Sequence, residues 1–309
     1  MLEQKNKLAT RIAVLISCLL IAMLCSQSCR DKPNEHVDDT EEKPDTTVHW
    51  LQLAIDRWAS WSPDGSKIIY MREKAGSGRD TSWLFGAFIH ELSLEKDICI
   101  WPSVRFDGFS WSPDSRKVAL VQAGQIYVYD FDADSLRRVT FRYRSYSVSW
   151  SPCGDKLVFF DRFNGIGMQV YDFASDSTIA VVGQNQSRAG DWLPNCSTLV
   201  LMDSCSQKDC GVYGYDLYLD SLWLIVKAPG YKAYVSASPN GDVVVYGADY
   251  ELWRSDLSGA SILQLTTEGG DYPDWSPDGQ WIVFTKLDKR NGYLWIMRPD
   301  GSEKHQITF

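Results

Sequence analysis

The chain has 309 residues, room for one large domain or two ordinary ones, and a formal charge of -9. That charge, without any basic stripe, argues against nucleic acid as a partner, because such binders neutralise phosphates with clustered Lys and Arg. Hydrophobic residues make up 44% of the sequence and include 13 Trp, 15 Tyr and 12 Phe, an aromatic load that suits strands and sets an all-β expectation.

At the N-terminus, Lys5, Lys7 and Arg11 precede an apolar run from Ile12 to Cys25. A spanning helix needs about 20 such residues, so the run reads as the hydrophobic region of an export signal. It ends in Ser26-Gln27-Ser28-Cys29, with small residues one and three positions before a cysteine. This arrangement resembles a bacterial lipoprotein signal, which implies removal of residues 1–28 and acylation of Cys29, although Ser26 stands where such signals usually carry Leu. An ordinary cleaved signal peptide and an uncleaved anchor are the alternatives, and Cys25, preceded by bulky Leu24, is the weaker lipidation site. Residues 29–47 are polar and acidic, too poor in apolar side chains to order themselves, and read as a tether.

Residues 48–309 carry one repeated unit. Trp61-Ser62-Pro63-Asp64-Gly65 recurs as Trp111-Ser112-Pro113-Asp114-Ser115, Trp150-Ser151-Pro152-Cys153-Gly154 and Trp275-Ser276-Pro277-Asp278-Gly279. Trp192-Leu193-Pro194-Asn195-Cys196 and Ala237-Ser238-Pro239-Asn240-Gly241 are degraded copies. The spacing stays near ~40 residues except after the first copy, the length of a four-stranded propeller blade. Each copy continues with a β-rich run such as Lys117-Val118-Ala119-Leu120, an aromatic strand such as Gln125-Ile126-Tyr127-Val128-Tyr129, and an end such as Arg138-Val139-Thr140. Pro presets the second position of a tight turn, Asp bonds the backbone two residues on, and Gly accepts positive φ, so each motif closes a hairpin. The Trp before it is expected to pack between neighbouring sheets.

The Trp-Ser-Pro-Asp-Gly unit, followed by aliphatic and aromatic strands and a Leu-Thr or Ile-Thr end, resembles the repeat of TolB-type propellers, a WD40-like family, over roughly residues 57 to 309. It implies an all-β, six-bladed β-propeller with four-stranded antiparallel blades. Val48 to Ala54 is a spare β-like segment. Packing between the first and last blades, with this segment laid on one of them, is one way to close the ring.

Chemistry is sparse. Gly-x-Ser-x-Gly does not occur, and His36, His49, His90 and His305 show no metal-ligand spacing, so neither a hydrolase, a metal nor a cofactor is expected. The sialidase box is not matched, because Asp278 and Gly279 are adjacent. Cys205 and Cys210 lie in a predicted loop, Asp203 to Gly211, and are candidates for a disulfide in an exported protein, with free thiols as the alternative, while Cys99 and Cys153 read as small strand or turn residues. The links between blades are rich in Arg and Tyr, the types enriched at binding hot spots: Arg105, Arg142, Tyr143, Arg144, Tyr146, Arg188, Tyr231, Tyr234 and Tyr272. The resemblance implies a monomeric, non-catalytic scaffold in the cell envelope that binds a protein or peptide and meets the membrane through its lipid alone. A binder of glycans or small molecules, and an enzyme using funnel carboxylates on a glycan, are the competing readings.

Overall fold

The computed structural model describes residues 54–75, 83–141, 145–161, 167–181, 187–203, 211–228, 232–288 and 291–309. Cys29, the tether, Arg142, Tyr143, Arg144, Cys205, Cys210 and Tyr231 lie outside them. The chain divides into two units, Met1–His49 and Trp50–Phe309, and the strands belong to the second.

Each repeat folds as an antiparallel meander. The first is β1 (Ala54–Trp61), β2 (Lys67–Ala75), β3 (Trp83–Glu91) and β4 (Lys96–Pro102). The second is β5 (Phe109–Trp111), β6 (Lys117–Gln122), β7 (Gln125–Asp130) and β8 (Ser135–Arg138), and the third β9 (Ser145–Trp150), β10 (Lys156–Asp161), β11 (Gly167–Asp172) and β12 (Ser177–Ala180). The fourth is β13 (Ser187–Trp192), β14 (Thr198–Asp203), β15 (Gly211–Asp216) and β16 (Ser221–Lys227), and the fifth β17 (Lys232–Ala237), β18 (Val243–Ala248), β19 (Glu251–Asp256) and β20 (Ile262–Gln264). The last is β21 (Asp271–Trp275), β22 (Ile282–Asp288), β23 (Asn291–Met297) and β24 (His305–Gln306). The second to fifth meanders are separate four-stranded sheets, whereas the first and last share one eight-stranded sheet. A single parallel pair, Ile55 with Gly292, joins those two halves. The fold is thus an all-β propeller of four-stranded antiparallel units.

The motif explains each unit locally. The Trp (Ala237 in the fifth) is the last residue of the first strand and is buried with the aliphatic second strands of its neighbours. In the turn after it, Gly65 N donates to Ser62 O at 2.8 Å and takes φ of 72°, a conformation that Gly adopts without cost. Ser62 Oγ donates to Asp64 Oδ1 at 2.6 Å and accepts Lys67 N–H at 2.9 Å. The same bond from Ser112 holds the Asp114 carboxyl below its usual pKa, confirming the turn as the reason for these aspartates. At the other end of the repeat, the recurring Thr has a defined task. Thr140, Thr266 and Thr308 Oγ1 accept the N–H groups of Ile126, Leu252 and Leu294 at 2.8–2.9 Å, tying the chain end to its third strand.

The motif turns also touch one another around the rim. A Cβ added at Gly154 would lie 3.8 Å from the Pro113 ring, and added at Gly279 would lie 3.4 Å from Pro239. Gly65 meets Pro277 in the same way at 3.5 Å, across the seam between the last and first units. In the fourth copy Cys196 stands where four of the other five have Gly, and it bonds Cys153 of the third copy, with Cα atoms 5.9 Å apart. Cys153 is therefore not a plain turn residue, as its place in the motif suggested. The turns of neighbouring units abut, so two cysteines 43 residues apart meet.

The seam is closed by more than side-chain packing. Asp56 on β1 is fully buried and receives both Nε and Nη2 of Arg72, at 2.7 and 2.8 Å. Thr308 from the chain end donates to Asp56 Oδ2 at 2.6 Å, and Thr285 Oγ1 donates to Asp56 O at 2.9 Å. Burial pushes the Asp56 pKa up, against the pull of the Arg72 bonds. Residues 48–53 lie outside the described residues, so the spare segment has no part in this account.

Candidate functional site

The innermost strands β1, β5, β9, β13, β17 and β21 stand around a central cavity of about 100 Å³. One register position forms its floor. The residue before each motif Trp, or before Ala237, is Ser60, Ser110, Ser149, Asp191, Ser236 or Asp274, and all six line the cavity. Their side chains cross from unit to unit. Asp274 accepts the Trp61 N–H at 2.8 Å, Ser110 Oγ that of Trp150 at 2.9 Å, and Asp191 that of Ala237 at 2.8 Å. Ser149 Oγ donates to Asp191 at 2.7 Å. Ser236 Oγ lies 3.4 Å from Asp191 Oδ2 and 3.3 Å from Asp274 Oδ1, so one hydroxyl links two half-buried carboxylates. The sequence carried this girdle as a Ser or Asp before every motif, a signal overshadowed by the Trp that follows.

Burial raises the pKa of both acids. Asp274 is pushed up to about 7, chiefly by burial and then by the Asp191 charge, with the Trp61 N–H pulling down. Asp191 is also raised by burial, against its four hydrogen bonds. Asp107, on the opposite wall, is raised by burial despite Arg105 at 3.8 Å. Outside the lining, burial lifts Asp271 to about 6.

Three aromatic residues form one wall above the floor. Trp58 meets Tyr272 edge-on at 5.5 Å, Tyr272 meets Tyr234 at 4.3 Å, and Trp58 Nε1 donates to Tyr234 Oη at 3.3 Å. Trp58 and Tyr272 sit at register breaks of β1 and β21 with φ of 54° and 53°. Aromatic residues rarely adopt that left-handed conformation, and such strain concentrates at functional sites. The facing wall is small, with Gly108 and Ser147, and carries Asp107 as its one acid among the described lining residues.

Of the link residues singled out above, Tyr234 and Tyr272 are thus together in the funnel. Arg105 is at its edge, 3.4 Å from Glu73, and Tyr146 lies half-buried on β9 beside lining residue Ser147. Arg188 belongs to β13, and its side chain, like all of Arg142, Tyr143, Arg144 and Tyr231, is outside what the structure describes. Trp58 was missed, since its aim depends on a bulge. Among the described residues no cluster of His, Cys, Asp and Glu could hold a metal ion.

No family model matches the chain. An uncharacterized protein of Agrobacterium fabrum is 32% identical over 77 residues, 23% of this chain, and the match spans about a quarter (26%) of that relative's length. Solved propellers superpose over most of the domain, which places the chain in the class of all-β propellers. TolB from Acinetobacter baumannii gives a TM-score of 0.64 at 19% identity, covering 81% of this chain and 62% of its own. A protein assigned as TolB of Agrobacterium tumefaciens gives 0.64 at 19% identity, covering 72% and 86%. An oligogalacturonate lyase in complex with manganese gives 0.57 at 13% identity, covering 83% and 78%. At these identities the likeness is one of fold: the structure is a propeller similar to TolB.

Proposed function

We propose that the chain is a six-bladed, TolB-like propeller that is exported, anchored by a lipid on Cys29, and acts as a monomeric, non-catalytic scaffold binding an envelope protein or peptide. The six-blade count treats the eight-stranded sheet as two blades, since one residue pair joins two complete meanders, each with its own motif. The observation that carries the binding reading is the funnel, where strained aromatics and inter-blade links share one end of the innermost strands. Loops and pockets set on a rigid scaffold are where binding residues gather. The partner is held by the links, through Arg105, Arg142, Tyr143, Arg144, Tyr146, Arg188 and Tyr231 together with Tyr234 and Tyr272. Changing Arg142, Tyr143, Arg144 and Tyr146 together to Ser or Ala should abolish partner recovery from native membranes while leaving circular dichroism intact. Undiminished recovery of the same partner would place the binding face elsewhere. Intact mass of the membrane-extracted protein checks the acylated Cys29 start.

A second reading draws on Asp274, whose carboxyl holds a proton near neutral pH as a general acid must. It treats the funnel as a glycan-cleaving site. Release of reducing ends from envelope glycans by the wild type, lost in Asp274→Asn, would favour it over the scaffold.

A further inference from the structure

We infer that the group which enters the funnel is a cation, the guanidinium or ammonium head of one side chain or terminus of the partner. This rests on the scaffold reading and names the chemistry of its centre. The cavity is built asymmetrically. Both acids of the girdle, Asp191 and Asp274, flank Ser236, and the aromatic wall of Trp58, Tyr234 and Tyr272 stands on the same arc, on β1, β17 and β21. Opposite, Gly108, Ser110, Ser147 and Ser149 leave room and carry no charge, with Asp107 at their edge. A cation lodged there has carboxylates below and aromatic rings beside it, two kinds of group that attract it once water is displaced.

Among the described residues no Lys or Arg pairs with Asp191 or Asp274, although Arg57 stands at the aromatic wall itself. Arg57, 5.9 Å from the Trp58 ring centre, is 3.9 Å from Glu73, which also faces Arg105 at 3.4 Å. Asp191 and Asp274 are held by N–H and O–H donors, and the Asp191 charge opposes that of Asp274. Without a ligand, a proton relieves that repulsion, and a bound cation takes its place. Size agrees, because a cavity of about 100 Å³ takes the head of one side chain. An anionic head would be repelled by the acid floor, and a purely apolar head would leave its charge unneutralised.

The test compares N-butylguanidinium with N-butylurea, close in shape but different in charge, by calorimetry on the purified full-length protein at low salt. The cation should bind at least about tenfold more tightly. Asp274→Asn, and separately Trp58→Leu, should erase most of that preference, with unchanged circular dichroism. Should Asp274→Asn fail to fold, Asp107→Asn, at the edge of the lining, should reduce the preference alone. Equal binding of the two probes, binding of neither, or a preference that survives all the folded variants would overturn the inference. The partner-recovery experiment with the link variant separates the two ideas. Loss of partner there, with no discrimination between the probes, sinks the cation and leaves the scaffold standing. Discrimination between the probes with partner recovery undiminished supports the cation site and sinks the docking face.

Discussion

The rim of motif turns and the funnel are built from neighbouring residues of the same strands, yet they follow opposite rules. On the rim every element repeats: Pro and Gly of adjacent turns touch, each turn Asp is locked by a Ser hydroxyl, and a substitution in one copy is absorbed locally. Where Cys153 replaces Asp, Asp155 takes the Ser151 bond at 2.9 Å. In the funnel the repeat is broken, with Asp in place of Ser in two girdle positions, aromatics forced to positive φ in two strands, and carboxylates held in a costly environment. Repetition serves closure, because any one contact is backed by its equivalents. Departures that cost stability and sit together in one cavity are where binding is expected to have shaped the chain.

This contrast is sharpest at the seam, which the repeat alone does not close. Replacing Arg72 with Met leaves Asp56 buried and unpaired, and should cost about 3–5 kcal/mol in a urea melt. Arg116→Met breaks an ion pair between two exposed side chains on the rim, at 3.2 Å, and should cost less than about 1 kcal/mol. Equal costs would mean that the Asp56 network adds nothing to what packing provides.

Next in size is the disulfide. Closing a 43-residue span, Cys153–Cys196 should stabilise the domain by about 2–4 kcal/mol, read as a lower melting temperature in reductant or in the double Ser variant. Peptide mapping of the unreduced protein should recover the two cysteines linked. The same map tests Cys205 with Cys210, and finding Cys153 paired with either would refute the arrangement of turns.

The smallest effect belongs to the funnel. Asp274 titrates near 7 in the fold against 3.8 when unperturbed, so the native state binds more protons between those values. Stability should therefore fall as pH rises through that window, by about 1–3 kcal/mol, and stay level in this respect above and below it. Asp271, lifted to about 6, acts in the same direction, whereas the turn aspartates Asp114 and Asp278, held low by hydroxyl bonds, matter only in acid. Melting curves at pH 5 and pH 8 read the difference, and Asp274→Asn should flatten it. A wild type more stable at pH 8 than at pH 5 would contradict the burial of this carboxylate.

Much of the fold was legible because its causes are local. Trp61, Trp111, Trp150, Trp192 and Trp275 end inner strands and are buried, as their place before a turn implied. Tyr234 and Tyr272 drew attention by type, but their contact could not be read, because they lie on strands that meet only at the ring axis.

The sequence by itself determined the repeating meander, its turns and its buried Trp, since Pro, Gly, Asp and alternating apolar residues act within a few positions of one another. Only the tertiary structure decided the partner of Cys153, the Asp56 seam and the grouping of Asp191, Asp274, Trp58, Tyr234 and Tyr272. These depend on bringing residues tens to hundreds of positions apart onto one axis, and on bulges that turn single side chains. Beyond the Ser or Asp before each motif, neither leaves a local trace, because the energy that fixes them comes from closing the ring as a whole.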